Sequence, residues 1–88
     1  MKRPMLEVTF RRGRPLAAYL RLDGSRSAVA TTRELSPNLI GDFAEGGSLL
    51  GLEILAFDAA TVGRINELLA AHGHAALEDR ELAPLRAA

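Results

Sequence analysis

Residues 38–57 read NLIGDFAEGGSLLGLEILAF and decide the fold of this chain of 88 residues. Large apolar residues alternate with polar or small ones on both sides of the Gly46-Gly47 pair, a pattern typical of two antiparallel strands joined by a two-residue turn. The turn fixes four opposed pairs: Glu45 with Ser48, Phe43 with Leu50, Gly41 with Leu52, and Leu39 with Ile54. A slip of one residue would move the apolar row to the other face, so the pattern itself selects this register.

The predicted hairpin is apolar on both faces. The register gathers five large apolar side chains on one face, and the opposite face also carries large apolar side chains next to Asp42 and Glu53. An antiparallel sheet with one wet face would be mostly polar there, so we expect both faces to be covered, one by a C-terminal helix and one by a second copy of the chain. The predicted dimer interface comprises Tyr19, Ile40, Leu49, Leu55 and Phe57.

Three further strands are predicted on the N-terminal side of the hairpin, over residues 6–10, 16–22 and 28–35. They are rich in alternating apolar or β-branched residues. Asp23-Gly24-Ser25 supplies turn chemistry after the second of them.

A helix is predicted to begin after an N-cap at Asp58 and to run to about His72 or Gly73. Its apolar stripe comprises Val62, Ile65, Leu68 and Leu69, and its outward side comprises Arg64, Asn66 and Glu67. A second helical segment over residues 78–83 is expected to end before Pro84, because a proline restricts the residue that precedes it. Three leucines could anchor this tail on the sheet or on a partner: Leu77, Leu82 and Leu85.

These elements predict one α+β domain over residues 1–88. Residues 1–57 form a small antiparallel β-meander of four to five strands, and residues 58–88 form the C-terminal helix and a short helical tail. The sequence leaves the order of the strands open.

Composition excludes several classes of protein. The chain has no Cys, which excludes disulfides, thiolate zinc sites and a thiol nucleophile. No apolar run approaches the roughly 20 residues of a membrane span, so we expect a cytoplasmic protein. The formal net charge is zero, yet residues 1–37 hold eight basic residues against three acidic ones and residues 38–88 hold the reverse. Opposite halves folded together neutralise each other.

Asp42 and Glu53 are the first candidate polar site. The register makes them diagonal neighbours on one face, with Gly51 directly opposite Asp42. If Ser36-Pro37 is also a tight connection, Arg33 lies across from Ile40 and within reach of both carboxylates, so a cross-strand ion pair is the simplest interpretation. Binding of a small ligand or a metal ion by the two carboxylates remains an alternative.

Two other clusters of chemically active residues are weaker candidates. His72-Gly73-His74 offers two imidazoles for zinc but lies at a helix end, where a histidine also interacts favourably with the helix dipole. Three arginines in one predicted loop, Arg11, Arg12 and Arg14, could contact a phosphate backbone, but no aromatic residues are interleaved with them. The sequence therefore predicts no catalytic residue, no cofactor and no metal ligand, and does not favour nucleic acid as a partner.

Three segments resemble the small bacterial proteins grouped as domain of unknown function 2283. They are Ala18-Tyr19-Leu20-Arg21-Leu22, Gly41-Asp42-Phe43 and residues 47–55, and the resemblance spans about residues 14–57. Leu16 stands where the family usually has Asp, and Gly41-Asp42-Phe43 keeps only one acidic residue, which weakens a metal site. The resemblance implies no established activity. Some members are encoded beside toxin-like proteins, which implies an antitoxin or partner-binding role.

Together, these observations predict a non-enzymatic interaction protein that forms a homodimer and binds a protein partner. One alternative is an antitoxin-like component that contacts nucleic acid through Arg11, Arg12 and Arg14. The other is a domain that binds a small ligand or metal ion with Asp42 and Glu53.

Overall fold

The computed structural model describes residues 4–22 and 29–86. Within these ranges five strands precede two helices: β1 Met5–Arg11, β2 Arg14–Arg21, β3 Val29–Ser36, β4 Leu39–Ala44, β5 Leu49–Ile54, α1 Ala59–Ala71 and α2 Asp79–Arg86. The predicted α+β class, an antiparallel sheet followed by C-terminal helices, is confirmed. The predicted turn at Asp23-Gly24-Ser25 and the first residue of the predicted third strand, Ala28, lie outside the described residues. Neither α1 nor α2, the helices of these ranges, is long and apolar enough to cross a membrane.

The strand order is β1-β2-β5-β4-β3, and all neighbouring strands are antiparallel. The order departs from a simple meander at one connection, because β2 and β3 are separated by β5 and β4. Burial supplies the reason. Five of the six residues of β5 are buried, whereas β1 and β3 are largely exposed. The most apolar strand therefore occupies the centre of the sheet, and the most exposed strands form its edges.

The loop between β4 and β5 is one residue longer than predicted. The Gly47 N–H donates to the Ala44 carbonyl at 2.9 Å, and the Ala44 N–H donates to the Ser48 carbonyl at 2.9 Å. The loop is therefore Glu45, Gly46 and Gly47, with Gly47 at a φ of 95°. Three-residue hairpin loops commonly end on a residue with positive φ, which glycine adopts without strain. This corrects the two-residue turn and the predicted pairing of Glu45 with Ser48.

An extra residue on β5 compensates for the longer loop. Phe43 pairs with Leu49, not with Leu50 as predicted, and Asp42 pairs with Gly51. Leu50 is therefore the inserted residue of a β-bulge. The predicted pairs beyond the bulge are confirmed: Gly41 with Leu52 and Leu39 with Ile54. The bulge turns Leu49 toward the helices, where it is 1% exposed and part of the core. Its predicted place on the opposite face of the sheet is wrong.

Both helices pack on one face of the sheet, and the core lies between them. The fully buried side chains of the core come from both layers: Leu20, Leu39, Leu49, Leu52, Ile54, Ile65, Leu69, Leu82 and Leu85. Leu77 is also buried in this cluster, so the predicted anchoring of the tail by its leucines on the sheet is confirmed. Phe57 packs partly buried against the same cluster. Its predicted place on the opposite face is therefore wrong as well.

The first helix begins and ends where predicted. The Asp58 side chain caps it, with Oδ1 accepting from the Thr61 hydroxyl at 2.6 Å and Oδ2 from the Thr61 N–H at 3.2 Å. These hydrogen bonds, the hydroxyl first, lower the pKa of the Asp58 carboxyl. The C-cap is His72, and Gly73 follows with a φ of 79°.

Asn66, which was predicted to point away from the core on the outward side of α1, instead forms hydrogen bonds with the segment that follows the helix. The Asn66 Nδ2 donates to the Leu77 carbonyl at 3.1 Å, and its Oδ1 accepts from the Leu77 N–H at 2.8 Å. One side chain thus satisfies both backbone groups of a buried residue. The two hydrogen bonds fix the start of the tail against α1.

The second helix contains Pro84, whereas the sequence predicts that the helix ends before it. Pro84 has no N–H and cannot donate to the carbonyl four residues earlier. Leu82 and Leu85 are 2% and 1% exposed, so their burial holds the segment in place. Tertiary packing overrides the local preference here.

Candidate functional site

The face of the sheet opposite the helices, here called the open face, carries two complete rows of side chains. Pairing across the five strands defines the rows: Glu7, Tyr19, Glu53, Ile40 and Glu34 in one, and Met5, Arg21, Gly51, Asp42 and Thr32 in the other. Neither helix contributes to this face. It is therefore the surface on which a binding function can be built.

Tyr19 crosses the open face above Gly51. Its hydroxyl donates to Asp42 Oδ2 at 2.8 Å, although β5 separates the strands of the two residues. Gly51 makes the crossing possible, because a Cβ at this position would overlap the hydroxyl and ring of Tyr19. On the other side, the Thr32 hydroxyl donates to Asp42 Oδ1 at 2.6 Å. Asp42 is thus held from both sides, and three strands are tied together by side chains.

The predicted polar site is only partly assembled. Asp42 and Glu53 share the open face as diagonal neighbours, as predicted. Arg33 pairs with Gly41, not with Ile40, and its guanidinium lies 4.3 Å from the centre of the Phe43 ring. The predicted ion pair is therefore wrong, since Arg33 stacks on the ring from the helix side of the sheet. The hydroxyls of Tyr19 and Thr32 take the place that the prediction gave to the guanidinium.

The two described rows of the open face carry more acidic than basic side chains. Four carboxylates stand on its two rows, those of Glu7, Glu34, Asp42 and Glu53, and Arg21 is the cation among them. Arg21 Nη2 lies 3.0 Å from Glu7 Oε1. In the part of the chain that the structure describes, the Glu53 side chain makes no hydrogen bond or ion pair. A depression of about 380 Å³ lies beside it, lined by Glu7, Thr9, Ala17, Ala18, Tyr19, Asp42 and Glu53.

The predicted dimer interface is divided between the two faces. Tyr19 and Ile40 are half-buried on the open face, and Leu55, directly after β5, is 44% exposed. Leu49 and Phe57 belong to the core side. The open face consequently has fewer large apolar side chains than expected and more carboxylates around them.

Both histidines of the His72-Gly73-His74 segment contact the sheet. The His72 ring meets the Phe43 ring edge to face, with 5.3 Å between centroids. His74 Nε2 lies 2.8 Å from the Leu49 carbonyl. Within residues 4–22 and 29–86, no group of three or more His, Asp or Glu side chains could hold a metal ion. The two histidines therefore attach the end of α1 to the sheet.

The arginine cluster forms the end of the β1–β2 hairpin. Arg12 and Gly13 make the turn, with φ values of 53° and 78°, and Arg11 lies opposite Arg14. Successive positive φ values are typical of the tight turns that join antiparallel strands. Two large apolar side chains are exposed beside this turn, Phe10 at 61% and Leu16 at 56%. The sequence analysis singled out neither residue as exposed. Phe10 carried a signal, because it continues the alternating row of Leu6 and Val8 to the end of the predicted strand.

Residues 17–57 match the model of the family described as Protein of unknown function (DUF2283). This match confirms the family resemblance that the sequence motifs indicated. It covers slightly under half of the chain, from β2 to the residues after β5, and includes Tyr19, Asp42, Gly51 and Glu53. No curated protein and no solved structure matches the chain. The family description assigns no activity.

Proposed function

We propose that the protein is a non-enzymatic interaction protein that presents its open face to a protein partner with basic side chains. One observation carries the proposal: the helices cover one face of the sheet, while the other face displays Tyr19, Ile40 and Leu55 among carboxylates. A toxin held by its antitoxin would be one partner of this kind, in line with the role that the family resemblance implies.

The charges favour a different molecule over a second copy on this face. Two open faces stacked on each other would bring the four carboxylates of the two described rows against four, with Arg21 of each copy as the cation within those rows. Like charges brought together out of water are unfavourable, whereas complementary potentials speed and orient association. A partner with lysines or arginines around an apolar centre fits both Leu55 and the carboxylates.

The geometry of the face supports binding because it is fixed before a partner arrives. Tyr19 is held by Asp42, and Asp42 is held by Thr32. A surface with its side chains already ordered loses less conformational entropy on binding. The same hydrogen bonds occupy both oxygens of Asp42, which supports a structural role for this carboxylate over acid and base chemistry.

Affinity capture with matched variants tests the proposal. Tagged wild-type protein is expressed in the native host, the extract is treated with nuclease, and captured proteins are identified by mass spectrometry. Leu55→Asp is compared with Leu16→Asp, because both leucines are exposed but only Leu55 adjoins the open face. We expect a stoichiometric protein that is lost with Leu55→Asp, retained with Leu16→Asp, and released by added salt.

A second pair of variants tests the charges. Glu53→Gln keeps the size of the side chain and removes one carboxylate of the open face, and Glu67→Gln does the same on the exposed side of α1. The partner should bind Glu53→Gln more weakly and Glu67→Gln normally. Equal capture by wild type, Leu55→Asp and Glu53→Gln would place the binding surface elsewhere and overturn the proposal.

A further inference from the structure

We propose that the chain forms a homodimer through β1, with the β1 strands of two copies pairing antiparallel to make one continuous ten-stranded sheet. The two open faces then lie side by side and stay accessible. The inference concerns a different surface from the partner-binding function and does not depend on it.

The two edges of the sheet differ in how well they can accept another strand. β3 carries two inserted residues of its own, Ala30 and Leu35, where its register against β4 shifts. Bulges of this kind interrupt the regular spacing of backbone groups and protect an edge. β1 runs without an inserted residue from Met5 to Arg11, because the bulge between β1 and β2 places its extra residue, Leu16, on β2. Among the described strands β1 pairs only with β2, so its second edge is regular and open.

The sequence of β1 is complementary to itself in one register. Val8 is the centre of Met5–Arg11, so placing it on the two-fold axis pairs the strand over its full length. Leu6 then lies opposite Phe10 of the second copy, and Glu7 lies opposite Thr9. Centring on Glu7 would set two carboxylates directly opposite each other, which is destabilising. Centring on Thr9 would leave the first residues of the strand unpaired.

A groove beside β1 fits the exposed aromatic side chain of the second copy. It has a volume of about 250 Å³ and lies between β1 and α2, lined by Pro4, Leu6, Val8, Leu20, Leu77 and Pro84, with Arg80 and Glu81 at its rim. Phe10 points to this same side of the sheet and is 61% exposed. Pairing Leu6 with Phe10 of the second copy places the ring at the groove. The two-fold axis repeats the contact, so both exposed phenylalanines are covered.

Charges on the open-face side of the new seam are also complementary. Each Glu7 becomes a diagonal neighbour of Arg11 of the second copy and keeps its own Arg21 at 3.0 Å. The two Glu7 carboxylates are diagonal to each other across the axis, but four guanidinium groups surround them. Within its own chain Arg11 faces Arg14, so dimerisation gives this arginine an acidic neighbour.

Sedimentation equilibrium on the full chain with two pairs of matched variants tests the interface. Phe10→Ser is compared with Leu16→Ser, since both remove a side chain more than half exposed near the same turn. Arg11→Glu is compared with Arg14→Glu, because each converts the same Arg–Arg pair into a Glu–Arg pair and changes the net charge equally. We expect a wild-type dimer that Phe10→Ser makes monomeric. Arg11→Glu should raise the dissociation constant about tenfold, since symmetry applies the change twice. Leu16→Ser and Arg14→Glu should remain dimeric.

A covalent test fixes the register. The chain has no Cys, so Val8→Cys introduces a single thiol next to its symmetry mate. Directly opposed residues of antiparallel strands have Cα atoms about 4.5–5.5 Å apart, which lies within the disulfide range of about 4.4–6.8 Å. Mild oxidation should convert Val8→Cys to a disulfide-linked dimer, whereas Val29→Cys, on the β3 edge, should stay monomeric on a non-reducing gel.

The outcomes separate this inference from the partner-binding function. A monomeric wild type at concentrations of hundreds of micromolar, or a dimer unchanged by Phe10→Ser and uncrosslinked in Val8→Cys, would overturn it. A dimer that dissociates with Leu55→Asp or Ile40→Asp but not with Phe10→Ser would place the interface on the open face and overturn it as well. A Phe10→Ser monomer that still captures a partner through Leu55 would support both proposals independently.

Discussion

Gly51→Ala should destabilise the protein through Tyr19. Alanine usually suits a strand better than glycine, by about 0.5–1 kcal/mol, because glycine loses more backbone freedom on folding. Here the added Cβ would overlap the Tyr19 hydroxyl and ring. The aromatic side chain must therefore leave its position above Gly51, and its hydrogen bond to Asp42 is lost.

The size of the effect follows from the contacts that are broken. A hydrogen bond to a charged group contributes about 1.5–3 kcal/mol, and the half-exposed setting of this one places it at the lower end. Loss of ring packing adds roughly 0.5–1 kcal/mol. Subtracting the backbone gain leaves a net destabilisation of about 1–2 kcal/mol, or a fall in melting temperature of about 4–16 °C for a domain of this size.

A double-mutant cycle checks this reasoning. Urea unfolding followed by circular dichroism gives the free energies of wild type, Gly51→Ala, Tyr19→Ala and the double variant. With the ring absent, Gly51→Ala should become neutral or stabilising by up to about 1 kcal/mol. If Gly51→Ala has the same effect in both backgrounds, the crossing of Tyr19 over Gly51 does not govern this position and the reasoning is refuted.

Three further predictions concern the helices. Because the pKa of Asp58 is lowered in the folded state, the ionised carboxylate stabilises the protein above the ordinary aspartate pKa, and this stabilisation is lost as the pH falls through the lowered pKa. In the Asp58→Asn variant the melting temperature should therefore fall less steeply with acidic pH than in the wild type. Identical curves of melting temperature against pH for the two proteins would contradict this prediction. Asn66→Ala should cost about 1–3 kcal/mol in urea unfolding because both backbone groups of buried Leu77 lose their partner, and a cost near zero would show that water replaces the amide. Leu82→Ala should lower the free energy of unfolding by about 2–5 kcal/mol, because Leu82 is buried. Leu16→Ala changes an exposed side chain and should alter the free energy of unfolding by no more than about 0.5 kcal/mol. Equal effects of the two substitutions would mean that α2 does not pack on the sheet.

The sequence predicted the local elements well, because their signals lie within a few residues. Asp58 followed by an amphipathic stripe and Gly73 located α1 at both ends. The sequence of residues 47–55 predicted the position of β5 and also carried the most specific part of the family resemblance. The pairing of Leu39 with Ile54 also followed from alternation, since one face of the hairpin is buried and therefore constrains the register.

The errors arose where alternation carries no information. Leu49 and Leu50 are adjacent and identical, so the pattern could not show which of them faces the core, and the bulge decides it. The loop length was equally ambiguous, since Gly47 suits both a two-residue and a three-residue loop. The predicted end of the second helix before Pro84 rested on local propensity alone, and the burial of Leu82 and Leu85 overrides that propensity.

The contacts of the open face depended on the strand order, which the sequence left open. Tyr19 meets Asp42 only because β5 lies between β2 and β4. Arg33 was assigned to the wrong side because the turn lies at Pro37-Asn38, one residue later than Ser36-Pro37, and the register shift at Leu35 then places Arg33 opposite Gly41. The high apolar content of β5 was the one available clue to its central position.

The central position of β5 also constrains the timing of biosynthesis. β2 pairs with β1 and β5 alone among the described strands, so the β1–β2 hairpin, which is synthesised before the other described strands, has no further strand to pair with until β5 is available. The later strands, β3 to β5, are neighbours in the chain and can associate as they emerge, since nearby segments meet fastest. The apolar side of β2 therefore stays uncovered until the last strand of the sheet and the helices that follow it are available.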